Sequence, residues 1–143
     1  MEENKVLFVD IVAPDRSVFQ GDAQLVQIPG VDGAFEVLYN HAPLVAQFEI
    51  GSIRVVTPES GEILFATSGG FVEVLNNHVI VIAETAEPAS EIDVERAKAA
   101  EQRALERLKK AGLAEREAIL RELERARNRL RVAMAAVGKK VHV

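Results

Sequence analysis

The first half of the chain contains short apolar runs separated by glycine, proline and asparagine. IRVVTPESGEILFAT (residues 53–67) is typical of two strands around a turn, and FVEVLNNHVIVIAE (residues 71–84) of two strands around Asn76-Asn77. Asparagine tolerates the positive φ angles that tight hairpin turns require. Strands in such close succession predict an antiparallel sandwich or barrel between Val6 and Glu84.

After Ser90 the apolar residues recur at intervals of three and four. One stripe is formed by Ala97, Ala100, Ala104, Leu108 and Ala111, and a second by Leu120, Leu123, Ala126, Leu130, Ala133 and Val137. Each stripe marks one face of an α-helix. Gly112 is expected at the left-handed position after the first helix, and Gly138 is expected to end the second. The short connection predicts an antiparallel hairpin.

The two helical stripes are composed mainly of alanine, with some leucine. Alanine allows helices to approach closely but buries little apolar area, and stabilisation scales with that area at about 25 cal/mol per Å². The hairpin is therefore expected to be marginally stable alone and able to open.

Charge divides the chain at nearly the same place. The net charge of −5 combines −11 for residues 1–91 with +6 for residues 92–143. Opposite charges on the two halves indicate that they meet different surroundings, although a long solvated helix also carries many charges. The apolar fraction of 48% suffices for a core, and the aromatic fraction of 5% makes that core mostly aliphatic.

Several classes of protein are disfavoured by composition. Cysteine is absent, which excludes disulfides, thiolate metal sites and a cysteine nucleophile. No apolar run approaches the roughly 20 residues that span a bilayer, so no direct membrane insertion is expected. The N-terminal MEENK is short and acidic, unlike a signal or transit peptide.

Catalytic motifs are also missing. His41, His78 and His142 are far apart, and no catalytic or metal-binding pattern surrounds them. Ser68-Gly69-Gly70 precedes a strand rather than a helix, which favours a tight turn or bulge over a phosphate-binding loop. We therefore expect no catalytic residue, no metal site and no required cofactor.

The second helix is rich in arginine, at positions 116, 121, 125, 127, 129 and 131. Nucleic-acid binding is disfavoured because no aromatic residues are interleaved, the chain is acidic and glutamates are interspersed. A solvated helix of mixed charge and a helix that docks on an acidic protein surface both remain open.

The stretch ASEIDVERAKAAEQRALERL (residues 89–108) begins the helical half. Ser90 and Asp93 have capping-box spacing, which predicts that the Ser90 hydroxyl accepts from the Asp93 N–H. Asp93 and Arg96 are also spaced for an i,i+3 pair. These residues are explained by helix initiation alone.

Arginines across the hairpin suggest an additional role. Closure about Gly112 would bring Arg103 within about a turn of Arg125, and Arg96 within about a turn of Arg129. Converging guanidinium groups repel one another, and a polyanion would relieve that repulsion through charge-assisted hydrogen bonds. Such an anion would favour the closed hairpin over the open one.

With these residues in view, nearly the whole chain resembles the epsilon subunit of a bacterial F-type ATP synthase. The resemblance is carried by HAPLVAQFEIG (residues 41–51), SGGFVEVLNNHVIVIAETAE (residues 68–87) and EIDVERAKAAEQRA (residues 91–104). It implies an α+β protein with an N-terminal antiparallel β-sandwich of about ten strands and a C-terminal antiparallel two-helix hairpin. The expected boundaries are 1–87 for the sandwich and 88–143 for the hairpin.

The resemblance also implies a function. Such a sandwich joins the γ subunit of the central stalk to the c-ring and rotates with them. The helices fold back or extend toward the α and β subunits, and when extended they inhibit ATP hydrolysis. The expected location is the cytoplasmic face of the bacterial plasma membrane, as a peripheral subunit of a proton-translocating complex.

Some members of that family bind ATP in the folded state without hydrolysing it. Their motif resembles Ile/Leu-Asp-x-x-Arg-Ala, which matches residues 92–97 here. The resemblance implies ATP as a regulatory ligand, with an adenine and ribose side at Glu87, Ile92, Asp93 and Ala97. It places the phosphates at Arg103, Arg125 and Arg129, and Arg96 belongs to the motif.

The c-ring contact is expected at Ala34, Tyr39, Asn40 and His41. Here the chain departs from the family pattern, because Ala34 replaces a commonly acidic residue and Tyr39-Asn40 replaces Pro-Gly. An alternative interpretation of the whole chain is a β-sandwich binding module whose helical hairpin serves self-association.

Overall fold

A computed structural model describes the backbone of residues 5–141 and the side chains of residues 5–137. The chain divides into two compact units, Met1–Pro88 and Ala89–Val143. The strands are β1 Leu7–Ala13, β2 Arg16–Ala23, β3 Leu25–Ile28, β4 Phe35–Leu38, β5 Leu44–Thr57, β6 Gly61–Leu75, β7 His78–Ala83 and β8 Ala86–Pro88. A 3-10 turn, Ala89–Glu91, precedes helices α1 Val94–Lys110 and α2 Leu113–Val141. His142 lies outside the described residues.

The expected α+β architecture of a sandwich followed by a helical hairpin is confirmed. The described residues form eight strands, in the order β2-β1-β7-β6-β5-β3-β4 with β8 beside β6, rather than about ten. Strands β5 and β6, of 14 and 15 residues, are the longest and pair with each other from Leu44 to Thr57 of β5. The sheet is also mixed rather than wholly antiparallel, because β1 and β7 pair in parallel.

The glycines of Ser68-Gly69-Gly70 lie inside β6 rather than at a turn between strands. Gly69 and Gly70 have φ angles of 118° and 155°. A Cβ atom on Gly70 would collide with the carbonyl oxygen of Ile82. Before these glycines β6 pairs with β8, and from Gly70 onward it pairs with β7. The pair therefore marks the point at which one strand exchanges its neighbour.

The sandwich core consists of the inward residues of each strand, as alternation predicts. In β1 these are Leu7, Val9 and Ile11, all fully buried. Aliphatic side chains dominate this core, and its two buried phenylalanines are Phe48 and Phe65. Asn76 and Asn77, with φ angles of 50° and 63°, form the predicted turn between β6 and β7.

The start of α1 differs from the prediction. Ser90 lies within the 3-10 turn, and the N-cap is Asp93, whose Oδ1 accepts from the Arg96 backbone N–H at 3.1 Å. Ser90 would have to stand immediately before the helix to cap it, but α1 begins at Val94 and Ser90 belongs to the 3-10 turn Ala89–Glu91. Asp93 has the extended backbone of an N-cap, and its carboxylate suits the positive end of the helix.

Both glycine signals in the helical unit were interpreted wrongly. Gly112 does not have the positive φ of a left-handed cap, and α1 ends instead at an extended Ala111. The Gly112 carbonyl accepts from the N–H groups of Glu115 and Arg116, so Gly112 stands at the N-terminal end of α2, directly before Leu113. Gly138 lies within α2, which continues to Val141. A single glycine in a helix interior is less favourable than alanine by only about 1 kcal/mol, and the neighbouring helical turns offset this loss.

The seam between α1 and α2 is narrow. Its buried cluster contains only Ala104, Ile119 and Leu123 among the described residues. Ile119 replaces the predicted Leu120, which is 42% exposed, and Val137 at the end of the predicted stripe is 55% exposed. A stripe on a 29-residue helix drifts around the axis, so a fixed three-and-four spacing does not stay on one face.

Candidate functional site

Two ion pairs across the hairpin show its register. Arg107 Nη1 lies 2.6 Å from Glu122 Oε2, and Arg127 Nε lies 2.9 Å from Glu101 Oε2. The pairs lie on opposite edges of the seam, because Glu101 and Arg107 flank the buried Ala104 on either side of α1. In this register, Arg103 on α1 and Arg125 on α2 lie at the same height along the hairpin axis.

Arg103 and Arg125 lie on the same edge as the Arg107–Glu122 ion pair. Arg103 is one turn before Arg107, and Arg125 is three residues after Glu122, so both share that face. Both are exposed, and neither forms an ion pair with any described carboxylate. The edge therefore holds two guanidinium groups whose donors are available to a ligand.

Arg96 and Arg129 extend the same edge in the direction of the α1 N-terminus. Arg96 is exposed, and its backbone N–H is bound by the Asp93 carboxylate. Arg129 is half-buried and already has an interaction partner within the chain. The two differ in availability, because a ligand would have to compete for Arg129 but not for Arg96.

The remaining predicted nucleotide residues have different surroundings. Ile92 is 8% exposed and Ala97 is fully buried, so both contribute to packing. Asp93 is exposed, but one carboxylate oxygen is already used by the helix cap. Glu87 belongs to the other unit, in β8 opposite Ala66, where it is half-buried and has a partner of its own.

Chemically, the hairpin edge is suited to binding an anion rather than to transforming one. Guanidinium groups donate in a planar fork that matches phosphate oxygens. Within the described residues no group of three or more acidic or histidine side chains could hold a metal ion. In the sandwich, His41 contacts the Ala42 carbonyl and His78 packs edge-on against Phe8.

The residues predicted to contact the c-ring lie around β4. Ala34 is exposed just before the strand, and Tyr39, Asn40 and His41 form the turn after it. The His41 N–H donates to the Leu38 carbonyl at 3.1 Å, and Asn40 has a φ of 67°. A positive φ at the third position is what a type II turn requires. Asn40 therefore occupies the left-handed position for which glycine is otherwise favoured.

An exposed apolar surface on the sandwich was missed by the sequence analysis. Val45 is 71% exposed, Ile82 is 56% and Phe71 is 55%. Phe71 and Ile82 are paired across β6 and β7, and Val45 is paired with Glu73 on β6. We call these three residues the outer apolar face. The signal was present, because FVEVL and HVIVIA have apolar residues at both inward and outward positions.

Comparison with known proteins identifies the family. A model of the ATP synthase delta/epsilon chain β-sandwich domain matches residues 6–89, and one of the delta/epsilon chain long α-helix domain matches residues 90–134. The ATP synthase epsilon chain of Salinibacter ruber is 54% identical over 141 residues, covering 92% of this chain and 95% of that protein. The chain belongs to the family of bacterial ATP synthase epsilon chains. It is thus a subunit of a larger complex.

Other relatives agree over most of their length. The epsilon chain of Bacillus pumilus is 41% identical over 129 residues, covering 90% of this chain and 98% of the relative. A chain in the cryo-EM structure of the Euglena gracilis mitochondrial ATP synthase OSCP/F1/c-ring assembly has a TM-score of 0.77 at 22% identity. That match covers 93% of this chain and 81% of the other, and it shows a shared fold. No helix in residues 5–141 has the length and apolarity to cross a membrane.

Proposed function

We propose that the chain is a non-catalytic rotor subunit of the central stalk. Its sandwich couples the γ subunit to the c-ring, and its hairpin acts as a brake on ATP hydrolysis that bound ATP holds in the folded state. The complex is at the cytoplasmic face of the plasma membrane, where this subunit is peripheral. The observation that carries the regulatory part of the proposal is the pair of unpartnered arginines, Arg103 and Arg125, at one level of the hairpin edge.

The outer apolar face supports docking of the γ subunit. Soluble monomers rarely expose a contiguous patch of large apolar side chains without a partner. Phe71 and Ile82 are direct cross-strand neighbours, and both are more than half exposed. We assign γ to this face because a sandwich that rotates with the stalk needs a large apolar contact to transmit torque. The turn after β4 is the part of the sandwich that meets the c-ring.

ATP stabilises the folded hairpin through its phosphates. Arg103 is on α1 and Arg125 is on α2, so a phosphate bridging them bonds to both helices only while they are packed. The nucleotide thus has a higher affinity for the folded than for the open hairpin, and that difference alone shifts the population. No catalytic group, metal or further cofactor is required.

The proposed inhibition of ATP hydrolysis is supported by the weak seam between the helices and by the exposed apolar and basic side chains of α2. Because the buried cluster of the hairpin, within residues 89–137, consists of Ala104, Ile119 and Leu123, the hairpin opens at modest cost. The outer side of α2 exposes Leu113 at 93%, Leu120 at 42% and Met134 at 63%. Apolar side chains beside exposed arginines fit an acidic protein surface, which we assign to the α and β subunits of the extended state.

Calorimetric titration of the isolated full-length chain with ATP tests the sensor. Arg103→Ala and Arg125→Ala each remove one charge-assisted phosphate contact, worth about 1.5–3 kcal/mol, and should weaken binding at least tenfold. Arg116→Ala is the matched control, because Arg116 is also exposed and unpaired on α2 but lies away from the edge. It should bind within twofold of wild type. Equal affinity in all three variants would contradict the phosphate assignment.

A second function is suggested by the exposed residues of α2. Leu113, Leu120 and Met134 are spaced by sevens or multiples of seven, the repeat of helices that associate side by side. The same stripe could therefore mediate self-association of a β-sandwich binding module. Sedimentation with and without γ separates the two: a one-to-one complex with γ supports the rotor proposal, and a dimer that ignores γ supports self-association.

A further inference from the structure

The turn after β4 is tied to a turn that lies 37 residues further along the chain. The Asn40 backbone N–H donates to Asn77 Oδ1 at 2.6 Å. The Asn77 side-chain amide Nδ2 donates back to Asn40 Oδ1 at 3.3 Å. We call this reciprocal pair the asparagine clasp. Each asparagine is in the left-handed region, with φ angles of 67° and 63°.

The two asparagines of the clasp differ in the number of backbone hydrogen bonds that hold their turns in place. Asn77 is in a two-residue turn whose flanks, Leu75 and His78, are paired in the β6–β7 ladder. Its carbonyl also accepts from the Phe8 N–H at 2.9 Å, which fixes the turn to β1. Besides the clasp, the turn around Asn40 has two local bonds among the described residues, from the His41 N–H to the Leu38 carbonyl and between His41 Nδ1 and the Ala42 carbonyl. Asn77 is therefore the fixed partner, and its side chain holds the turn after β4 in position.

The two segments that the clasp joins lack formal charge. Residues 37–48 and 74–83 contain no aspartate, glutamate, lysine or arginine, although 27% of the whole chain is charged. Exposed apolar side chains flank the clasp on both turns, with Leu38 at 48%, Tyr39 at 39% and Leu75 at 49% exposure. Two segments remote in sequence thus form one uncharged surface at one end of the sandwich.

We infer that the c-ring contact surface includes both turns, and that Asn77 is its positioning residue. This inference rests on the proposed function, in which the turn after β4 meets the ring. Without the clasp, the Tyr39–His41 turn would have only one backbone bond and would sample several conformations. Binding would then have to order it, which lowers affinity. The partner surface is expected to be an uncharged ring loop, since a charged loop would find no counter-charge here.

Glycine substitutions at the two turn asparagines provide a matched pair. Asn76→Gly and Asn77→Gly both retain a left-handed backbone, but only Asn77→Gly removes the two bonds to Asn40. Amide hydrogen exchange at Asn40 should accelerate about three- to fivefold in Asn77→Gly and stay within twofold of wild type in Asn76→Gly. Asn77→Asp keeps an acceptor for the Asn40 N–H, so protection should be retained.

Affinity for the ring provides the second readout. The full-length chain in complex with γ is titrated against purified c-ring in detergent. Asn77→Gly should bind the ring about fivefold more weakly than Asn76→Gly, while both bind γ equally. Equal ring affinity with faster Asn40 exchange would overturn the positioning role and leave the rotor proposal intact. Unchanged Asn40 exchange would overturn the clasp itself, and failure of the wild-type complex to bind the ring would overturn both proposals.

Discussion

In the sandwich, buried side chains from all eight strands meet in one core, whereas among the described side chains of the hairpin three form the buried cluster. The difference arises from the residue types available to each unit. Branched aliphatic and aromatic residues fill the space between two sheet layers, while alanines bring helices close but bury little area. Under the proposed function, the hairpin can therefore open without a rearrangement of the sandwich core.

The largest effect should come from the sandwich core. Ile53→Ala leaves a cavity at a fully buried position and should lower the free energy of unfolding by about 2–5 kcal/mol. Urea denaturation followed by circular dichroism at a strand-sensitive wavelength measures this loss. Val45→Ala on β5 is the control, because that side chain is 71% exposed. A similar loss in both variants would show that the sandwich core is not where its stability is concentrated.

A comparable truncation in the hairpin should act locally. Leu123→Ala truncates one of the two large side chains in the buried cluster of the seam and should destabilise the packed helices by about 2 kcal/mol. Amide exchange in α1 should accelerate about 30-fold, while amides of β1 and β7 exchange as in wild type. Leu120→Ala, which changes an exposed leucine of the same helix, should leave α1 unchanged. Accelerated exchange in the sandwich as well would mean that the units are not independent.

The corrected helix cap predicts a smaller effect. Asp93→Ala removes the acceptor of the Arg96 N–H and should destabilise α1 by about 1 kcal/mol. Ser90→Ala should change helix stability by only a few tenths of a kcal/mol, since Ser90 does not cap α1. Helix-amide exchange at Glu95 and Arg96 distinguishes them. If Ser90→Ala proves the more damaging variant, the capping-box interpretation of the sequence is restored.

The smallest effect is expected from the ion pair on the hairpin edge. The side chains of Arg107 and Glu122 are 57% and 44% exposed, so solvent screens their attraction despite the 2.6 Å separation. A double-mutant cycle with alanine should give a coupling free energy of about 0.2–1 kcal/mol that falls with added salt. The Glu101–Arg127 pair is the comparison, since Glu101 is only 23% exposed. Stronger coupling at Arg107 than at Arg127 would mean that solvent exposure does not decide the strength of these pairs.

The sequence predicted where strands and helices occur better than it predicted the residues at which the helices begin and end. The change from alternation to a helical period after Ser90 located the two units, because periodicity reflects which face each residue buries. Asn76-Asn77 was correctly assigned to a hairpin turn, since few residues tolerate two positive φ angles in succession. Gly112 and Gly138 were assigned wrongly, because glycine permits a helix end without requiring one.

For the candidate site, the sequence likewise predicted the local arrangement of the arginines but not their arrangement across the hairpin. Residue spacing along each helix predicted which arginines share a face, since an α-helix fixes that relation locally. The level at which Arg103 and Arg125 face each other depended on the hairpin register, which the Arg107–Glu122 and Glu101–Arg127 pairs reveal. The outer apolar face was also missed. Apolar residues on both faces of a strand are equally compatible with a strand that is buried on both faces and with one that exposes an apolar face.

By itself, the sequence determined that this protein has a strand-rich acidic unit and a basic helical hairpin with a weak seam. Those properties depend on residue type and short-range spacing, which act within a few positions of one another. The tertiary structure decided the parallel pairing of β1 with β7, the change of partner along β6 at Gly70, and the clasp between Asn40 and Asn77. Each of these joins segments far apart in the chain. Such pairings are selected by the packing of the whole core and leave no local signature in the order of residues.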